Sequence, residues 1–122
     1  MSAVRVGITM GDPAGVGPEI CTAALRAVGQ RARFVVVGDR RVWKRAAGQR
    51  SQGRSPEFID LANVDPKTFG FGTVKAEYGR ASVQYLDAAM KLLRDRKIDC
   101  LVTCPISKEA VRLAGYPYSG HT

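Results

Sequence analysis

The residues with chemistry to offer gather first in the stretch from Ile8 to Ile20, ITMGDPAGVGPEI. It begins as the tail of an apolar run, passes through Gly11, Asp12, Pro13, Ala14, Gly15, Val16 and Gly17, and reaches Pro18 at the head of an apolar, helix-forming segment. Glycine lacks the Cβ that blocks tight backbone turns. Proline in the first helical turn sacrifices no hydrogen bond, because that N–H has no partner within the helix. A strand, a bare loop and a helix N-terminus follow. Such a terminus carries unpaired N–H groups and the positive end of the helix dipole, which suit a phosphate or a carboxylate. The spacing G-x3-G-x-G matches neither the dinucleotide fingerprint nor the phosphate loop of nucleotide hydrolases. On pattern alone two readings stand: a ligand-contacting loop that brings Gly15 to a substrate, or an ordinary strand-to-helix turn. Asp12 divides in the same way, between approaching a substrate hydroxyl and bonding nearby backbone N–H groups as turn aspartates do.

The three cysteines, Cys21, Cys100 and Cys104, are too few and odd in number for a disulfide framework. Cys100 falls inside an expected strand and Cys104 just past its end. With a single histidine in the chain, buried and inert thiols are the expectation rather than a metal site. The net charge of +8 comes from 19 basic against 11 acidic residues. Basic residues concentrate in the segment RRVWKRAAGQRSQGR, from Arg40 to Arg54, which raises the alternative of a polyanion- or nucleic-acid-binding module. That segment has one aromatic residue, Trp43, and no zinc, RNA-recognition or helix-turn-helix signature beside it, so a solvated Arg-rich surface is preferred. The alternative would require affinity that falls steeply with salt.

The elements that must position these groups read as follows. Val4 to Met10 is a β-branched strand; Pro18 to Val28 is a helix with Ile20, Ala24 and Ala27 on one face, stopped by Gly29. Arg33 to Val37 is a second strand, closed by Gly38 and Asp39, which completes a βαβ unit. A helix over Arg41 to Ala47, a polar loop, a third strand over Phe58 to Leu61 and an irregular stretch from Val64 to Gly72 make up the middle. Ser82 is placed as the cap of a helix whose face is Val83, Leu86, Met90 and Leu93. Ile98 to Thr103 is a strand, Ser107 caps a short helix through Leu113, and Gly115 ends it. The order predicts a three-layer α/β/α domain around a mostly parallel sheet, a single α/β unit over 1–122. In such sheets ligands collect beyond the carboxyl ends of the strands. No apolar run approaches the roughly 20 residues that span a bilayer, and the N-terminus lacks a charged-then-apolar leader. A cytoplasmic protein without a membrane partner is expected.

Two blocks, ITMGDPAGVGPEI near the start and LVTCPISKEAVRLAGYPYSGHT at the end, resemble the 4-hydroxythreonine-4-phosphate dehydrogenase family, PdxA, of vitamin B6 biosynthesis. The blocks cover about a quarter to a third of the chain. The resemblance implies an isocitrate/isopropylmalate-dehydrogenase-like fold and a homodimer. It also implies NAD-dependent oxidation of the secondary alcohol of 4-phosphohydroxy-L-threonine, with a divalent metal (Zn, Mg or Co) polarising the alcohol oxygen. Relatives bearing the same front blocks act on other phosphorylated hydroxy acids or on cis-dihydrodiols. The family's Gly-His-Thr element falls on Gly120, His121 and Thr122, which implies substrate contacts by His121 and Thr122. Lys108 matches a lysine lining the same cleft, where a cation would face a phosphate or carboxylate. The family continues well beyond the position of Thr122, and its metal-binding histidines and NAD site lie in that later portion. The resemblance therefore implies an apparently truncated domain, with neither NAD nor metal held by these 122 residues and no activity from them alone. A folded remnant without function is the third reading.

Overall fold

The computed structural model describes residues 4–28, 31–48 and 56–117. Eight elements follow in order: β1 (Arg5–Thr9), α1 (Gly17–Val28), β2 (Arg33–Gly38), α2 (Arg40–Ala47), β3 (Glu57–Asp60), α3 (Ala76–Arg94), β4 (Cys100–Thr103) and α4 (Lys108–Leu113). The four strands form one wholly parallel sheet in the order β3-β2-β1-β4. Runs such as FVVV in β2 suit this arrangement, since a parallel sheet is covered on both faces and needs no polar alternation. The chain steps outward from β1 to β3 and then returns to place β4 beside β1. Right-handed crossovers put α1 and α2 on one face, where they meet each other, and α3 on the opposite face against β1, β2 and β4, with α4 beside it. The expected α/β/α layering is what the structure has.

The core runs through both layers. Ile8, Met10, Val36 and Val37 of the sheet region meet Cys21 of α1, Val42 and Trp43 of α2, and Tyr78, Ala81, Tyr85 and Ala89 of α3. Each large apolar side chain so buried contributes about 1.5–3 kcal/mol relative to its exposed state. Asp39 begins α2: its fully buried carboxylate accepts from the backbone N–H groups of Arg41 and Val42, and its other oxygen from the N–H of Val64 at 3.1 Å. One carboxylate thus caps the helix and fastens the irregular middle segment to it.

Three expectations are corrected. Ser82 does not cap α3, which starts at Ala76, six residues earlier; Ser82 is fully buried inside the helix and donates its hydroxyl to the carbonyl of Gly79 at 2.8 Å. The early start is driven by tertiary packing: Tyr78 is fully buried with its ring 5.5 Å from Phe69, and Glu77 in the first turn accepts from the N–H of Asp65. The core face of α3 is accordingly Tyr78, Ala81, Ser82, Tyr85 and Ala89, while Met90 is exposed. Small residues let the helix seat closely on the sheet, a signal that counting aliphatic side chains misses. On α1, Ile20, Ala24 and Ala27 are likewise exposed, and the buried residues are Gly17, Pro18 and Cys21. Finally, Cys100 is exposed on β4, which among the described strands pairs with β1 alone, whereas Cys21 and Cys104 are buried as expected. No described helix is long and apolar enough to cross a membrane.

Candidate functional site

β1 and β4 are neighbours whose chains leave in different directions, β1 toward α1 and β4 toward α4. That reversal of strand order makes their carboxyl ends the place where parallel α/β sheets take ligands. The register carries Thr9 level with Thr103, and the ladder continues past the strands: the Cys104 N–H donates to the carbonyl of Thr9 at 3.2 Å and the Asp12 N–H to that of Pro105 at 3.0 Å. The loop after β1 and the segment after β4 are therefore tied together.

The glycines explain how the approach is possible. Gly11 has φ +73°, a left-handed conformation that disfavours a side chain, and a Cβ there would collide with the carbonyl of Pro105. A Cβ on Gly17 would strike the carbonyl of Met10 and come to 3.1 Å from the Cβ of Cys104. Gly15, the glycine singled out from the sequence, is different. It is exposed, its φ is not positive, and an added Cβ would meet only Asp12 at ordinary contact, 3.4 Å from the carbonyl oxygen. Gly15 and Val16 thus form the exposed lip of the loop, and Gly11, Asp12, Pro13 and Ala14 its buried floor.

Asp12 is 5% exposed. Its Oδ1 accepts from the N–H of Ala14 at 2.8 Å and its carbonyl from the N–H of Gly15 at 3.0 Å, so it holds the turn together. Burial pushes its carboxyl above the usual carboxylate value, opposed by the backbone N–H groups of Ala14 and Gly15. The turn-forming reading of Asp12 is directly visible, with the carboxyl buried in the loop that follows β1. Asp39 and Asp60 end the next two strands, so the carboxyl edge of the sheet carries three aspartates. Their combined field, after burial, pushes the Tyr85 phenol up. The Tyr85 hydroxyl donates to Oδ1 of Asn63 at 2.8 Å, and Asn63 donates to Gln84.

Thr9 was not singled out from sequence. It closes β1, is 1% exposed, and its Oγ1 has no hydrogen-bond partner. An orphaned buried hydroxyl costs stability and marks a polar group left over by the fold. The available signal was a threonine ending an apolar strand just before the glycine loop. The spatial partner of Cys104 was also missed: its thiol accepts from Cys21, and that contact together with burial holds the Cys21 thiol well above its ordinary value and unreactive. The irregular middle stretch contributes too, since the N–H of Gly72 donates to the carbonyl of Ala14 at 2.7 Å and supports the loop from outside.

Lys108 is exposed at the first position of α4, beyond the end of β4; Ser107 accepts from the N–H of Ala110 at 3.1 Å and caps that helix as expected. His121 and Thr122 lie outside the described residues. Among the described residues no group of three or more His, Cys, Asp or Glu side chains converges as a metal site would require. Of the basic residues in α2, Arg41 bonds the carbonyl of Val64 and pairs with Asp39, and Arg45 lies over the rings of Phe69 and Phe71. These two are spent on folding rather than displayed as a free stripe.

Comparison with known proteins agrees with this architecture. The family model described as "Pyridoxal phosphate biosynthetic protein PdxA" matches residues 30–122. A D-threonate 4-phosphate dehydrogenase from Cupriavidus necator is 36% identical over 96% of this chain and 40% of its own length. The crystal structure of a 4-hydroxythreonine-4-phosphate dehydrogenase from Burkholderia phymatum superposes with a TM-score of 0.87 at 33% identity, covering 99% of this chain and 42% of the other. A terephthalate 1,2-cis-dihydrodiol dehydrogenase from Burkholderia xenovorans superposes with a TM-score of 0.79 at 31% identity, over 95% of this chain and 38% of the other. The chain spans about 40% of the length of the curated relatives it matches.

Proposed function

This chain belongs to the PdxA family, and on that premise we propose that the polypeptide carrying it oxidises the secondary alcohol of a phosphorylated four-carbon hydroxy acid, with NAD as hydride acceptor. The observation that carries the reading is the junction of β1 and β4, where a glycine loop and the segment leading to Lys108 are tied together at a reversal of strand order. The substrate is 4-phosphohydroxy-L-threonine or D-threonate 4-phosphate, which share the terminal phosphate and the alcohol and differ at the substituent beside the carboxylate. A divalent metal, when bound, would supply Lewis-acid stabilisation of the developing alkoxide. The described residues offer no converging ligand set for it, and its ligands are proposed to lie elsewhere in the polypeptide. The NAD site is proposed to lie there as well, and assembly as a homodimer is proposed with it.

Within this chain the roles are those of binding and shape. Gly11 and Gly17 allow the loop to close against Cys104 and Pro105, which fixes the backbone around the proposed site. Lys108 supplies a positive charge beyond β4, suited to the substrate phosphate or carboxylate, and His121 and Thr122 contact the substrate. Asp12 orders the loop and presents a poorly solvated carboxyl at its floor. The test is NAD reduction with each phosphorylated substrate, and with a cis-dihydrodiol as the third candidate, in the presence of a divalent metal. Turnover of a phosphorylated substrate that falls in His121→Ala supports the reading. Turnover of the dihydrodiol alone would replace the substrate, and no turnover of any of the three would sink the reading.

A further inference from the structure

Two thiols meet at the carboxyl end of the sheet and take no part in the roles described so far. Cys21 lies on α1 and Cys104 follows β4, and both belong to the same core. The backbone fixes their placement. The Cys104 N–H donates to the carbonyl of Thr9 at 3.2 Å, and its Cβ stands 3.1 Å from where a Cβ on Gly17 would be. Gly17 and Cys21 are one turn apart on α1 and share a face. The missing side chain of Gly17 therefore leaves room for Cys104 to reach the Cys21 thiol, which donates to the Cys104 sulfur. Among the described residues no group of three His, Cys, Asp or Glu side chains gathers here as a metal would need. The pair is buried but shallow: Cys104 lies between the exposed Thr103 and Pro105, and Val16, beside Gly17, is also exposed.

We propose that Cys21 and Cys104 are a reversible dithiol–disulfide pair, oxidised by a hydroperoxide, whose bond clasps the first turns of α1 to the segment after β4. The hydrogen bond from Cys21 lowers the Cys104 thiol from its ordinary value, so Cys104 is the sulfur that carries the thiolate and meets the oxidant first. It attacks one peroxide oxygen; the O–O bond breaks, the other oxygen leaves as water or an alcohol, and Cys104 becomes a sulfenic acid. The Cys21 sulfur then attacks the Cys104 sulfur. An S–S bond forms, the S–O bond breaks, and the hydroxyl leaves as water with the Cys21 proton. The two thiols lose two electrons and the peroxide gains two. Cys21 is held protonated first by its hydrogen bond to Cys104 and then by burial. Oxidation removes the thiolate that accepts that bond, which frees Cys21 to attack. A dithiol reductant restores the pair by exchange. The joined segments flank the proposed substrate site, so an effect of the clasp on turnover rests on the dehydrogenase reading, whereas its formation does not.

The experiment treats the folded chain with hydrogen peroxide, quenches in acid, alkylates the remaining thiols in denaturant and maps the peptides by mass spectrometry. The expected product is a Cys21 peptide joined to a Cys104 peptide, about 2 Da lighter than the two reduced peptides together and separated again by dithiothreitol. Cys100, exposed at the amino end of β4, stays outside the link and serves as the internal control. The oxidised chain should unfold at a higher urea midpoint than the reduced one, because the link closes a long loop. Cys21→Ala removes the attacking thiol, so Cys104 should instead gain about 16 or 32 Da of oxygen. If that variant does not fold, the linked peptide of the parent decides alone, since it needs no substitution. Cys21 and Cys104 both alkylated after peroxide, a link made only through Cys100, or an oxygenated Cys104 beside a free Cys21 in the parent would each overturn the assignment.

Discussion

Replacing Gly11 by alanine should cost far more than replacing Gly15, although both glycines sit in the same loop. At Gly11 two penalties add. A residue with a Cβ in the left-handed region costs about 1–2 kcal/mol. The new methyl also has to displace backbone, since it would collide with the carbonyl of Pro105 and lie 2.7 Å from that of Cys104. Overpacking of this kind costs about 1–3 kcal/mol. The expected loss is therefore about 2–5 kcal/mol, a large share of the 5–15 kcal/mol typical of a folded domain. Gly15→Ala meets nothing closer than 3.4 Å at a φ that is not positive, so its effect should stay within about 0.5 kcal/mol of zero. Urea unfolding followed by far-ultraviolet circular dichroism measures both. In the proposed enzyme Gly11→Ala should also lose turnover through the displaced Pro105 segment. If Gly11→Ala unfolds at the parent's urea midpoint, or Gly15→Ala proves equally damaging, the account of how the loop closes on β4 is wrong.

Asp12→Asn keeps an oxygen acceptor for the Ala14 N–H and removes the buried charge. The folded carboxyl holds its proton more tightly than the unfolded one. Stability from this group is therefore full in acid and is lost as pH rises from the unfolded value through the folded one. The asparagine variant should equal the parent in acid and exceed it at neutral pH, read from urea midpoints across pH; a variant weaker at neutral pH would show that the charge stabilises the loop. Tyr85→Phe strips the donor from Oδ1 of Asn63 and should cost about 1–2 kcal/mol in the same assay. A loss below about 0.5 kcal/mol would mean that water replaces the hydroxyl. Lys108→Ala should raise KM for a phosphorylated substrate about five- to tenfold with little change in kcat, and an unmoved KM would remove Lys108 from the site.

Much of this was legible in the residues because strand and loop signals are local. The run RFVVVG, the glycine loop and the Ser107 cap each satisfy their own backbone needs, and each falls where the sequence placed it. The helix faces were not legible. Which stripe of α1 or α3 is buried depends on what lies against it, and small residues such as Ala81, Ser82 and Ala89 leave no hydrophobic signal despite complete burial. The pairing of Cys21 with Cys104 and the support of Ala14 by Gly72 join residues far apart in the chain, which spacing does not encode. At the site, the sequence located the loop and chose Gly15 within it. Only the three-dimensional approach of Pro105 and Met10 singles out Gly11 and Gly17 as the positions with no room for a side chain.

The central claim, that substrate enters between the ends of β1 and β4, is tested most directly by backbone amide NMR during titration with 4-phosphohydroxy-L-threonine and D-threonate 4-phosphate. Saturable shifts at Gly11, Asp12, Gly15, Val16, Gly17, Cys104, Ile106, Ser107 and Lys108 are expected for at least one of them. Shifts confined to other parts of the chain, or none while the same substrates are turned over, would contradict the placement of the site.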